Sequence, residues 1–134
     1  MHNTENKIMF AFSEELDTAF LYDLYGDDLQ QAEMVFESSA QQIKTEIVLA
    51  QARFYDSDLQ GLKKVIHKMK PLFGYIGMNE AMEEFAAFEK VCQEEKTAAD
   101  IEQKFQYILI TTQQSLLKAE KEVKRLKQFN TQYL

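Results

Sequence analysis

The sequence is short of the residues that make tight turns and cross-links. Its 134 residues include one proline and four glycines. An all-β domain leans on both for its many turns, so a sandwich or barrel is disfavoured and long helices with few connections are expected. The single cysteine, Cys92, rules out an internal disulfide. One cysteine and two histidines also argue against a metal site of the usual Cys/His kinds, and neither a metal nor another cofactor is expected. No apolar stretch approaches the ~18 residues of a membrane span. Residues 1–7 are polar and lack the basic-then-apolar layout of a signal peptide. A cytoplasmic protein without membrane contact is the simplest expectation. Positive charge is in deficit, with 15 Lys and Arg against 22 Asp and Glu and a net charge of −7, which argues against nucleic acid as the main partner because phosphate backbones need a basic face.

What the chain does have is helical periodicity. Hydrophobic residues make up 46% of it, enough for one domain with one core. Ile8, Phe10 and Phe12 alternate with Met9 and Ala11, the pattern of a segment lying extended across a groove. Ser13 reads as an N-cap with Glu14 and Glu15 in the first turn, opening a short helix with Leu16, Phe20, Leu21 and Leu24 on one face and ending at Gly26. With Asp27 as cap, Leu29, Ala32, Phe36, Ser39, Ile43, Ile47, Ala50 and Phe54 then recur at steps of three and four. Ser57 with Gln60 suggests a capping box ahead of Leu59, Leu62, Ile66, Met69, Phe73 and Ile76. Met82, Phe85, Phe88 and Cys92 form a fourth stripe, with Cys92 as a core residue. Thr97 with Asp100 starts the last, from Ile101, Phe105 and Ile108 through Thr112, Leu116 and Ala119 to Val123 and Leu126. Four amphipathic helices joined by short breaks predict an all-α, antiparallel up-and-down four-helix bundle, with the short N-terminal helix capping one end. Residues 1–12 are then an N-terminal segment, partly loose, residues 13–130 the bundle, and residues 131–134 a tail.

Charge is unevenly spread. Residues 1–58 carry 3 basic and 12 acidic side chains, and residues 59–134 carry 12 basic and 10 acidic. The basic excess is concentrated at Lys63, Lys64, Lys68 and Lys70, and again at Lys118, Lys121, Lys124, Arg125 and Lys127. The second group alternates with Glu120 and Glu122 and reads as a solvated helix face with i,i+4 pairs.

His67 stands beside the first group. At about 100° per residue, Lys63, His67, Lys70, Pro71 and Gly74 share a face that is not the apolar one. Proline costs roughly 3 kcal/mol and glycine roughly 1 kcal/mol inside a helix, and Pro71 denies the His67 carbonyl its backbone partner. Compact residues one and two turns on would leave the imidazole open to a docking protein. The same residues also fit a half-exposed histidine, a helix that restarts at Pro71, a glycine used for helix packing and a solvated lysine face.

The run His67, Lys68, Met69, Lys70, Pro71, Leu72, Phe73, Gly74, Tyr75, Ile76, Gly77 resembles the signature of histidine phosphotransfer domains of bacterial phosphorelays, roughly His-x-Leu-Lys-Gly-x-x-x-x-Leu-Gly. Residues 21–28 resemble that family's opening segment, Ser57-Asp58-Leu59 the start of its histidine helix, and Phe88-Glu89 a Leu-Glu pair on the next helix. The resemblance spans residues 15–130. Pro71 departs from it, standing where the family usually has glycine, and proline there would tilt the helix locally.

The resemblance implies a phosphocarrier with no catalysis of its own. His67 would accept a phosphoryl group from the aspartyl phosphate of a receiver domain and pass it to another receiver. The partners implied are response-regulator receivers and a hybrid histidine kinase, with Mg2+ on the receiver. Histidine titrates near neutrality, so a neutral nucleophilic imidazole is available. Lys70 at i+3 could neutralise the phosphoryl charge, Lys63, Lys64 and Lys68 could steer an acidic receiver, and Glu89 could accept from the other imidazole nitrogen and set its tautomer. A different class is an adaptor that binds receivers without phosphotransfer, which has no need of His67. A helical-bundle enzyme fits less well, since no Glu-x-x-His pair lies on the stripes. Polar outer faces predict a monomer. Both a free-standing shuttle and a domain of a hybrid kinase are compatible with the sequence.

Overall fold

The computed structural model describes residues 9–134. The described chain is helical: α1 (Thr18–Tyr25), α2 (Leu29–Tyr55), α3 (Leu59–Gly74), α4 (Asn79–Glu94) and α5 (Ala98–Tyr133). The expected stripes form the core. Phe36 and Ile43 of α2, Leu62, Ile66, Met69 and Phe73 of α3, Phe85 of α4, and Ile101, Phe105 and Leu126 of α5 are fully buried. Helix α3 packs on α2 and α4, and α5 packs on α2 and α4. Phe54 stacks on Phe105 with centroids 4.6 Å apart, and Phe73 lies 4.6 Å from Phe85. No described helix is long and apolar enough to cross a membrane.

The stripes of α2 to α5 line the core, but that of α1 does so only in part, and three helix starts lie elsewhere than expected. Helix α1 is capped by Asp17, not Ser13. Asp17 Oδ1 accepts from Phe20 N at 3.1 Å, Oδ2 accepts from Asn79 Nδ2 at 2.6 Å, and the Asp17 backbone N–H donates to the Gly77 carbonyl at 2.9 Å. A carboxylate tied into the α3–α4 turn thus outcompetes the serine. The inward face also differs from the expected one: Leu21 and Tyr25 are buried while Phe20 and Leu24 are exposed. Asp28, not Asp27, caps α2 through Gln31 N. Asp58, not Ser57, caps α3 by accepting from Gly61 N at 2.8 Å. Ser57 has φ of 57°, which is incompatible with the extended conformation an N-cap serine adopts. Thr97 caps α5 as expected, accepting from Asp100 N and donating to Asp100 Oδ2. Gly77, with φ of 71°, makes the α3–α4 turn in left-handed backbone, and a Cβ there would sit 3.1 Å from Leu21 Cδ1.

Phe10 and Phe12 are buried while Met9 and Ala11 are exposed, as the alternation predicts. Ile8 and His2 lie outside the described residues. The segment is tied to α5. The Ser13 N–H donates to Glu122 Oε2 at 2.8 Å, and the Arg125 guanidinium pairs with Glu122, donates to the Ala11 carbonyl at 2.7 Å and lies over the Phe10 ring. The basic group on α5 is therefore not a purely solvated face. Glu122 is buried, with a side chain 1% exposed, Lys118 reaches Glu15, and Lys127 reaches Glu33 and Glu37 on α2. These pairs join elements that are distant in sequence instead of following i,i+4 spacing. The last helix continues through Tyr133.

Candidate functional site

Helix α3 runs unbroken through Pro71 to Gly74, so Pro71 is an interior residue and not a restart. It is solvent-exposed, as is His67 one turn earlier, while Val65, Ile66, Met69, Leu72 and Phe73 face the core. The apolar stripe thus orients the helix, and the orientation puts the imidazole outside: its side chain is 69% exposed.

The imidazole is not free to rotate. Its Nδ1 lies 2.9 Å from Glu89 Oε2 on α4, and Lys70 Nζ lies 2.5 Å from Glu89 Oε1. One carboxylate, 16% exposed, bridges the two. An ionised carboxylate accepts only, so Nδ1 carries the proton as donor and Nε2 keeps the lone pair. Burial by itself would raise the Glu89 carboxyl, but the bonds from Lys70 and then His67 outweigh it and hold the group below its ordinary value of 4.5. The pairing depends on the packing of α3 on α4, the most extensive helix contact in the chain.

The other expected site residues fall in different places. Lys63 is half-buried and Lys64 exposed on the same helix, and neither has a described carboxylate within ion-pair distance. Lys68 points the other way, to Glu46 Oε1 on α2 at 2.9 Å. Gly74 packs against α4, where an added Cβ would lie 3.0 Å from Met82 Sδ, so helix packing explains it directly. Cys92 is buried, and burial pushes its thiol up to about 11, the behaviour of a core residue.

Glu46 escaped the sequence reading. Its side chain is 12% exposed, and Oε2 is buried without a described partner. The only signal in the sequence is an acid next to the stripe residue Ile47, which many solvated helix edges share. Beside the His67 face, Pro71 and Leu72 of α3, Tyr75 just after it, and Met34, Val35 and Ser38 of α2 line an open groove of about 480 Å3. No group of three or more His, Cys, Asp or Glu among the described residues could hold a metal ion. Compared with known protein families, curated proteins and solved structures, the chain has no match.

Chemically, the arrangement offers an exposed imidazole whose Nδ1 is held by Glu89, leaving Nε2 outward, with the Lys70 ammonium on the same carboxylate. It can act as a nucleophile toward an electrophile brought by a partner.

Proposed function

We propose that the chain is a phosphorelay intermediate of the histidine phosphotransfer type, an antiparallel up-and-down four-helix bundle capped by α1, working in the cytoplasm. His67 accepts a phosphoryl group from the aspartyl phosphate of a receiver domain and hands it to a second receiver. The observation that carries this reading is the His67 Nδ1–Glu89 hydrogen bond at 2.9 Å on an otherwise exposed imidazole.

In the transfer, the Nε2 lone pair forms the N–P bond as the P–O bond to the aspartyl oxygen breaks, and the receiver carboxylate leaves with the electron pair. The imidazole gains positive charge, and Glu89 stabilises it through the Nδ1 proton, which stays in place. The return step to the second receiver reverses each bond change. Phosphoryl transfer needs mainly positioning and charge neutralisation. Lys70, three residues on, supplies an ammonium group that can exchange Glu89 for a phosphoryl oxygen. Lys63 and Lys64 add positive charge toward the acidic, Mg2+-binding pocket of a receiver, while the charge of Lys68 is met by Glu46. Partners of this kind are response-regulator receivers and the receiver of a hybrid histidine kinase.

The test is loading from phosphoramidate or from a phosphorylated receiver, read by mass spectrometry under non-acidic conditions. The wild-type chain gains one phosphoryl group mapped to His67, and His67→Gln gains none. Receiver binding without any loading would replace this reading with a non-catalytic adaptor.

A further inference from the structure

The last helix carries a surface that phosphoryl transfer does not use. Residues 105–117 are 13 consecutive residues without a charge, in a chain that is 28% charged. Part of this run fills the core through Phe105, Ile108, Thr112 and Ser115. The rest faces solvent: Tyr107 is 60%, Ile110 51% and Leu117 65% exposed. At about 100° per residue, Gln103, Gln106, Ile110, Gln113 and Leu117 follow one line along α5, all of them outside the core. Toward α4, a largely apolar groove of about 330 Å3 lies beside Tyr107, floored by Ala87, Phe88, Val91 and Ile108 and edged by Glu84 and Lys104. Toward α2, Val48 and Tyr55 are exposed on the edge where Lys44 meets Glu120 and Phe54 meets Phe105.

Charges of opposite sign mark the two ends of this line. Asp100 and Glu102 precede it, and Lys121 and Lys124 follow it; Lys104 stands off the line on the α4 side, and Glu120 is paired with Lys44. Glu102 and Lys121 stand equally far along the helix from the midpoint of Ile110 and Gln113. Both lysines are exposed and without an ion pair among the described residues. A neutral centre flanked by acid on one side and base on the other is complementary to itself when turned end over end. That is the requirement of an isologous two-fold contact. A parallel pairing would set lysine against lysine.

We infer that a second copy of this chain pairs with the first through α5, the two helices antiparallel about a two-fold axis near Ile110 and Gln113. Ile110, Leu117 and Tyr107 are covered in the pair. Lys121 and Lys124 of each copy face Glu102 and Asp100 of the other. The line from Gln103 to Lys121 is about 27 Å long. One helix face of that length falls in the small, weak class of interfaces, below about 1,200 Å2, so the association is an equilibrium with dissociation on the order of micromolar or weaker. Helix α3 packs on α2 and α4, so pairing through α5 leaves His67 of both copies uncovered. The proposal stands whether or not His67 carries phosphate.

Sedimentation equilibrium of the full chain, from micromolar to millimolar protein, tests it. The average mass rises from 15.7 kDa toward twice that value, while Ile110→Glu and Leu117→Glu hold the monomer with an unchanged helical circular dichroism spectrum. Lys121→Glu with Lys124→Glu weakens association, and so does Glu102→Lys. Mixed in equal amounts, those two charge variants associate more strongly than either alone. The buried Cys92 leaves a clean background for cross-linking, so Gln113→Cys oxidises to a disulfide dimer and Gln128→Cys does not. A monomer at every concentration overturns the proposal, as it would if the face serves a different protein. Association that Ile110→Glu leaves intact, or charge variants that fail to restore each other, overturns it equally.

Discussion

Replacing Glu89 with alanine removes the one contact that orients His67. The carboxylate accepts from Nδ1 at 2.9 Å and from Lys70 Nζ at 2.5 Å. A hydrogen bond to a charged group contributes roughly 1.5–3 kcal/mol when its surroundings are dry. The imidazole is 69% exposed, so water substitutes for part of the loss and the lower end applies. About 1.4 kcal/mol corresponds to a tenfold change in rate. Glu89→Ala is therefore expected to slow phosphoryl loading of His67 by about tenfold. Lys70, released from Glu89, becomes more available to phosphoryl oxygens and offsets some of that loss. The double variant Glu89→Ala, Lys70→Ala should then lose more than the single variants predict by addition. The assay is the initial rate of loading from phosphoramidate, followed by intact mass at neutral pH, with circular dichroism confirming that the helices are retained. A Glu89→Ala rate equal to wild type would refute the orientation argument, because it would show that the imidazole presents Nε2 without help.

Further outcomes follow from the packing and charge of the fold. Ser57→Gly should raise stability by roughly 0.4–1 kcal/mol in denaturant melts, because Ser57 sits at φ of 57°, whereas Asp58→Ala should lower it by about 1 kcal/mol through loss of the α3 cap. Arg125→Ala strands the buried Glu122 carboxylate and frees the Ala11 carbonyl, and a cost of about 3 kcal/mol or more is expected in the same melts. Gly74→Leu should destabilise by roughly 1–3 kcal/mol against Met82, with Met82→Ala in the same chain recovering part of it; no recovery would place the strain elsewhere. The Glu89 carboxyl is held below its ordinary value of 4.5, so its ionised form stabilises the folded chain above that value and the contribution disappears as pH falls through the lowered one. The stability gap between wild type and Glu89→Gln should accordingly be steady at neutral pH and shrink in acid, and a gap that widens in acid would reverse the sign of the argument.

The candidate site was partly legible before any coordinates. His67 could be placed off the apolar face because Ile66 and Met69 fix the helix phase, and Lys70 shares its turn by spacing alone. Glu89 was reachable only through a family resemblance, since it lies 22 residues away on another helix. Glu46 was not reachable at all: an acid at the edge of a stripe is ordinary, and its burial depends on how closely α2 and α3 approach. The same distinction explains the mistaken caps. Ser13, Asp27 and Ser57 are sound local choices, but Asp17 also binds the Asn79 side chain and the Gly77 carbonyl, and Ser57 is forced into left-handed backbone by the turn.

By itself the sequence determined the helices, the inward faces of α2 to α5 and the outward position of His67, because these depend on a periodicity of 3.6 residues. Only the tertiary structure decided which charges meet. Glu89 with His67 and Lys70, Glu46 with Lys68, and Glu122 with Arg125 and the Ser13 N–H each depend on two segments arriving at hydrogen-bond distance. That convergence is set by the packing of whole helices and leaves no periodic trace in the chain.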